Sequence, residues 1–145
     1  MNDLQKYISE ILQEGYLMSL ATSDTVGLWV ADVIYVHNDL DIYWASHMLA
    51  RHSRALERNP SVAGSITLTQ RTDEPDKGLQ IAGIAGKLFL DTEKILTLYR
   101  KKRGKAADYS LPSGYAWYCL KPSIMDLIYE PVFGGEKQKI LSLKI

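Results

Sequence analysis

The sequence predicts a mainly β domain, a closed or nearly closed antiparallel barrel with helices at its periphery. Three observations lead there. Six to eight short segments rich in β-branched and aromatic residues recur along the 145 residues, each bounded by turn-forming residues. Helical periodicity interrupts them at few places. Closure, finally, removes the exposed strand edges that so many short strands would otherwise leave. An open sheet packed against helices is the structural alternative.

Composition sets the scale of the answer. With 46% hydrophobic and 23% charged residues, the chain has the make-up of one globular domain, read here as 1–145. Lys plus Arg equals Asp plus Glu at 17 each, so no global field favours nucleic acid or an anionic membrane. Any anion has to be held by a local cluster. Met1 to Glu14 interleaves Asp3, Lys6, Glu10 and Glu14 with apolar positions, unlike a signal peptide, and no run of about 18 apolar residues occurs. A cytoplasmic protein without membrane contact is expected. The single cysteine, Cys119, lies in the apolar run Tyr115 to Leu120 and reads as a small buried side chain.

The elements follow in order. Leu4, Tyr7, Ile8, Ile11 and Leu12 have helical spacing, with Asn2 or Asp3 as N-cap and Gly15 past the end, giving an amphipathic lid helix over 3–14. Tyr16 to Thr22 reads as a strand, Ser23 to Gly27 as a turn and Leu28 to Val36 as the second arm of a hairpin. His37 to Asp41 is a polar turn into a third strand, Ile42 to Ala45. Leu49, His52, Ala55 and Leu56 then mark a short helix over 49–58, stopped by Asn59-Pro60.

Val62 to Leu68 is a fourth strand, and Arg71 to Lys77 a solvated loop. Gly78 to Leu90 is a long strand whose interior Gly83 and Gly86 mark either a barrel bend or the close approach of a ligand. Asp91 is placed to cap a helix over Thr92 to Arg103, with Glu93 early and Lys101, Lys102 and Arg103 late, as the helix dipole prefers. Gly104 ends it. Tyr115 to Leu120 and Ile124 to Tyr129 are two last strands separated by Lys121-Pro122-Ser123. The barrel therefore spans about 16–130, and the tail 131–145 supplies a possible edge strand.

Chemistry concentrates where the third strand enters its helix, Trp44 to Arg54. A helix start offers unpaired N–H groups, and Ser46 with Arg51 nearby suits a phosphate; a solvated helix face is the plain alternative for Arg51, His52 and Arg54. Asp32 interrupts the apolar run Val30 to Tyr35, either to meet a ligand or cation or because it lies on a wet face. Gln80 is likewise a surface residue or an amide for a polar ring edge. His37, His47 and His52 lack the short repeated spacing of a metal site. Ser46, His47 and Asp32 allow a hydrolytic triad on paper, without a nucleophile-elbow pattern around Ser46.

The succession Leu20-Ala21-Thr22, Val30 to Tyr35, Ile42 to Ser46, Arg51-His52, Asn59-Pro60, Val62-Ala63-Gly64 and Gln80 to Gly86 resembles the pyridoxamine 5'-phosphate oxidase-like family of FMN-binding split barrels. The resemblance implies a homodimer with FMN at its interface. It places the flavin ring against Val30, Ala31, Asp32 and Val33, the phosphate near Ser46 and Arg51, and Gln80 facing the flavin. His52 stands where the family usually has lysine, which makes the charge there depend on pH, and Ala50 where it often has serine. The tail Lys137 to Ile145 lacks the arginine pattern of true pyridoxamine-phosphate oxidases, so vitamin B6 synthesis is not implied; Phe133-Gly134 is shared with small bacterial members.

The function implied is an FMN-dependent oxidoreductase acting on a small-molecule redox substrate. The alternative is a non-catalytic flavin- or haem-binding or storage protein, and a barrel with no cofactor is a third reading. Trp29, Tyr35, Tyr43, Trp44 and Trp117 supply aromatic surface for a dimer contact or, equally, for the core.

Overall fold

A computed structural model describes residues 3–142, of which 141 and 142 are described by backbone alone. The elements in chain order are α1 (Asp3–Glu14), β1 (Leu17–Asp24), β2 (Gly27–Asn38), β3 (Asp41–His47), α2 (Arg51–Arg58), β4 (Ser61–Thr67), β5 (Lys77–Lys87), α3 (Thr92–Arg103), β6 (Tyr115–Tyr129), α4 (Glu130–Phe133) and β7 (Gln138–Ser142). Asn2, offered as a cap for α1, lies outside the described residues.

Six antiparallel strands close into a barrel. Their order β3-β2-β1-β4-β5-β6 returns on itself through β3–β6 pairing, from Ile42 opposite Leu120 to His47 opposite Tyr115. β6 has 15 residues, and one of its edges is divided: Tyr115 to Leu120 pair with β3, whereas Ile124 to Leu127 pair with β7. The predicted barrel with peripheral helices is the fold observed.

Turn chemistry sets the first hairpin. Asp24 pairs with Gly27, and its carboxylate accepts the N–H groups of Val26 at 2.9 Å and Gly27 at 3.3 Å. Gly27, at φ 131°, occupies a region that only glycine enters freely. In β4 the burial alternates strictly, with Val62, Gly64 and Ile66 inward. β6 is buried almost continuously from Ala116 to Leu120, because Ala116, Tyr118 and Leu120 fill the barrel while Trp117 and Cys119 lie under α3 on its outside.

Two apolar groups follow. The barrel interior holds Met18, Leu20, Tyr35, Trp44, Leu79 and Leu120, closed at one end by Ile8, Ile11 and Leu12 of α1. Outside, Ile95 and Leu96 of α3 cover Val36, Tyr43, Trp117 and Cys119. Cys119 is a free, buried thiol. Tyr35, Tyr43, Trp44 and Trp117 are thus ordinary core residues, and of the five aromatics only Trp29, 45% exposed, remains for an external contact.

Several sequence expectations need correction. The two strands expected around Lys121-Pro122-Ser123 are one, because Ser123 is accommodated as a bulge where Pro122 faces Gly83 and Ile124 faces Ala82. The long strand ends at Lys87 rather than Leu90, leaving Phe89 and Leu90 exposed in a loop. The second helix starts at Arg51, and Leu49 is 72% exposed. Asp91 precedes α3 but adopts a left-handed conformation at φ 59° and makes no side-chain cap, while Gly104 ends that helix as expected. The turn of helix α4, with its early proline, was not anticipated.

Candidate functional site at the junction of β3 and α2

β3 carries Ser46 to the barrel rim, where it is 7% exposed. The chain then turns through Met48 to Ala50, with Ala50 N–H donating to His47 O at 3.1 Å, and enters α2 at Arg51. Ala50 has no side-chain oxygen to cap the helix, so the first N–H groups of α2 lack both an intrahelical partner and a cap. Ser53, in that same first turn, is 1% exposed, and among the described residues its hydroxyl has no hydrogen-bond partner.

The turn brings His52 back to Ser46, with Nε2 2.8 Å from Oγ. Burial pushes the His52 ring below its ordinary pKa, favouring the neutral imidazole. Beside this pair opens a cleft of about 450 Å³. β2 contributes Asp32 and Val33, β3 contributes Ser46 and His47, and Tyr99, Tyr109 and Tyr115 form an aromatic wall. That wall was not read from the sequence; Tyr109, an aromatic residue within the polar loop after α3, was the available signal.

The sequence-predicted residues are only partly gathered. Asp32, Val33, Ser46 and His52 share the cleft. Arg51 opens α2 with its guanidinium over the Trp29 ring, 4.1 Å from the centroid. Val30 is 62% exposed on the outer face, and Ala31 shares the opposite face with Val33 and Tyr35. Gln80 stands on β5 and accepts a hydrogen bond from Lys137 Nζ at 2.9 Å.

The triad that could be written from Ser46, His47 and Asp32 does not assemble. His47 Nδ1 accepts the Leu49 N–H at 3.1 Å, and the ring lies against Gly114, where φ of 84° and the nearby imidazole leave no room for a side chain. Asp32 accepts a hydrogen bond from Ser19 Oγ at 2.7 Å. Among the described residues, no group of three or more His, Cys, Asp or Glu side chains is placed to hold a metal ion.

Strand register connects the cleft to the outer face of the sheet. Asp32 pairs with Ser19, Ser19 with Ser65, Ser65 with Gln80, and Gln80 with Asp126, a polar row across five strands. Two residues along, Val30, Ala21, Ala63, Ala82 and Ile124 form a parallel row of small and aliphatic side chains. Asp32 and Gln80 are three strand spacings apart, each about 4.8 Å. They share a face rather than a pocket.

No family model matches the chain. A UPF0306 protein of Yersinia pseudotuberculosis is 28% identical over 89 residues, and the match spans 60% of this chain and 60% of the length of that curated relative. Solved structures show the fold. A candidate pyridoxamine 5'-phosphate oxidase from Listeria innocua superimposes with a TM-score of 0.70 at 18% identity, over 87% of this chain and 98% of that one. A heme-binding protein from Mycobacterium smegmatis gives 0.79 at 18% identity, over 98% and 59%. An FAD-binding protein from Mesorhizobium loti gives 0.66 at 14% identity, over 86% and 92%. The chain has the split-barrel fold of pyridoxamine 5'-phosphate oxidase-like proteins. Among the described residues no helix is long and apolar enough to cross a membrane.

Proposed function

We propose that this protein binds FMN between two copies of itself and acts as an oxidoreductase on a small-molecule substrate. The observation that carries the reading is the cleft at the uncapped start of α2, where Ser46, Ala50 and His52 line a helix terminus suited to a phosphate. A phosphate ester brings acceptor oxygens to a site rich in donors, so the residues present fit the group. The FAD-binding protein of Mesorhizobium loti supports the same cofactor class, a flavin.

The Ser46–His52 contact decides how the hydroxyl is used. When His52 Nε2 carries the proton, it donates to Ser46 Oγ, and the Ser46 O–H is free to donate into the cleft. With the other tautomer, Ser46 spends its proton on the imidazole. The first arrangement, or protonated His52, is the one that holds phosphate. Arg51 contributes by leaving Trp29, a contact of about 0.5–1 kcal/mol at an exposed site.

A bound flavin supplies hydride or electron transfer, while the protein binds and orients it. In this reading the apolar row from Val30 to Ile124 meets a second copy, and Asp32 and Val33 border the ring. Gln80, remote from its own chain's cleft, serves the flavin only across that dimer contact. The heme-binding neighbour motivates the alternative of a non-catalytic carrier. His47 Nδ1 accepts the Leu49 N–H, so the proton of its neutral ring sits on Nε2 and that ring offers a heme iron no free lone pair.

The test is the absorption spectrum of protein purified from its host, followed by FMN titration of the dialysed protein and sedimentation. A flavin spectrum, saturable FMN binding and a dimer are expected, with turnover on addition of a nicotinamide donor. A heme spectrum, or no saturable FMN binding, overturns the reading.

A further inference from the structure

A second cleft, of about 370 Å³, lies between the end of β5, the middle of β6 and the start of α3. It shares no lining residue with the first. Its volume falls within the roughly 300–1,000 Å³ of small-molecule sites. The apolar part is built from Ile84, Ala85, Leu88, Leu90 and Ile95, with Tyr43 and Cys119 beneath α3. Burial pushes the Cys119 thiol up to about 11 and the Tyr43 hydroxyl up to about 12, so both are uncharged near neutral pH and present no negative charge to an entering anion.

The polar part is dominated by ammonium groups. Lys87, Lys94 and Lys121 all line the cleft, against one lining carboxylate, Asp91. Lys121 is paired with Asp41 at 3.3 Å. Among the described residues Lys87 and Lys94 make no ion pair; Lys87 Nζ lies 3.2 Å from Met48 Sδ and 5.5 Å from the Phe89 ring centroid. In a chain whose formal charge sums to zero, this is a local excess of cation beside apolar surface.

Gly86 adds an independent feature. It lies in β5 opposite Cys119 and lines the cleft, and among the described residues a Cβ placed on it would meet nothing within 4 Å. No neighbour and no positive φ demands glycine here, unlike Gly83 three residues earlier. The missing side chain leaves the cleft open.

We infer that this cleft binds a small organic anion, a carboxylate with an aromatic or aliphatic body, its charge met by Lys87 and Lys94 and its body laid against Ile84, Leu88 and Ile95. The site is separate from the flavin cleft and stands or falls independently of it. The paired Lys121–Asp41 at the rim is not required.

The probe is 2-naphthoate, with 2-naphthamide as its neutral counterpart, measured by titration calorimetry on the full chain. Saturable naphthoate binding is expected, weakened about tenfold or more in the amide, a loss of about 1.4 kcal/mol or more. Gly86→Leu fills the cleft and should abolish binding. Lys87→Gln with Lys94→Gln, at two surface positions, should weaken naphthoate about tenfold while leaving the amide unchanged. Arg51→Ala should leave naphthoate affinity untouched. Equal affinity for acid and amide, full binding by Gly86→Leu or by the double lysine variant, or no saturable binding by the unmodified protein would each overturn the proposal.

Discussion

His52 Nε2 sits 2.8 Å from Ser46 Oγ, and this contact joins a strand end to a helix start across only six positions of sequence. Burial holds His52, and likewise His37, below the ordinary histidine value of 6.5. The unfolded chain therefore takes up more protons than the folded one once the pH falls below that value. The stability associated with both neutral rings is complete above about pH 6.5 and is lost as pH falls from there through their lower folded-state values. Urea unfolding at about pH 7.5 and about pH 5.5 should show the loss, and His52→Asn should make it smaller. An undiminished loss in His52→Asn would remove His52 from the account.

The same proton favours phosphate. Because an anion in the cradle stabilises the imidazolium, FMN affinity should rise as pH falls through the range in which His52 titrates. Titration of FMN across that range, with His52→Lys as the comparison, measures it. A lysine remains charged throughout, so its affinity should follow only the phosphate's own loss of charge at about pH 6, and that of the natural protein should climb relative to it. Parallel curves would separate His52 from the phosphate.

At the far end of the barrel, Glu10 receives a hydrogen bond from Tyr129 and pairs with Lys77 at 3.2 Å, while Tyr7 stacks on Tyr129 with centroids 4.3 Å apart. These contacts fasten α1 over β5 and β6. The Tyr129 hydrogen bond first, opposed by burial and aided by Lys77, holds the Glu10 carboxyl below its ordinary 4.5. Its contribution is present above that value and is lost as pH falls through the lower folded-state pKa. Glu10→Gln and Tyr129→Phe should each cost about 1 kcal/mol in denaturant unfolding at neutral pH. The cost of Glu10→Gln should begin to shrink below pH 4.5 and fade once the pH has passed the lower folded-state pKa, where the natural carboxyl is itself protonated.

Alternation in β4 and the apolar stripe of α1 are local signals, so strands and the two long helices were legible, and a closed or nearly closed barrel followed from the strand edges that closure removes. Pairing is not local. Pro122 looked like a strand break, yet the strand runs on, since the residue across from it is Gly83 and the extra Ser123 is taken up as a bulge. The cleft was legible at Ser46 and His52, which one turn brings together. Gln80 was not separable from it by sequence alone, because three strand registers set its distance from Asp32. Asp91 has the residue type of a cap, but its left-handed backbone takes the carboxylate out of that role.

The two interior glycines of β5 should now behave oppositely. A Cβ on Gly83 would overlap the Lys121 carbonyl and approach Leu120 Cδ1 at 2.9 Å, whereas one on Gly86 meets open space. Gly83→Ala should destabilise the protein by about 1–3 kcal/mol, through displacement of backbone at the bulge. Gly86→Ala should stay within about 0.5 kcal/mol of the parent. Thermal unfolding of the pair checks this. Equal effects would mean that the bulge, rather than the glycine, absorbs the added carbon.

Arg51 and Arg103 provide the sharpest contrast for the proposed cradle. Both are exposed basic residues, but Arg51 begins α2 beside the Ser46–His52 pair, and Arg103 ends α3 next to Gly104. Arg51 rests on Trp29 at 4.1 Å and has to leave the ring to reach a phosphate, so its net contribution is smaller than that of a guanidinium already in place. Arg51→Ala should still weaken FMN about tenfold, and Arg103→Ala by less than about twofold. Equal FMN affinities for the two variants would show that α2 holds no phosphate with its first side chain.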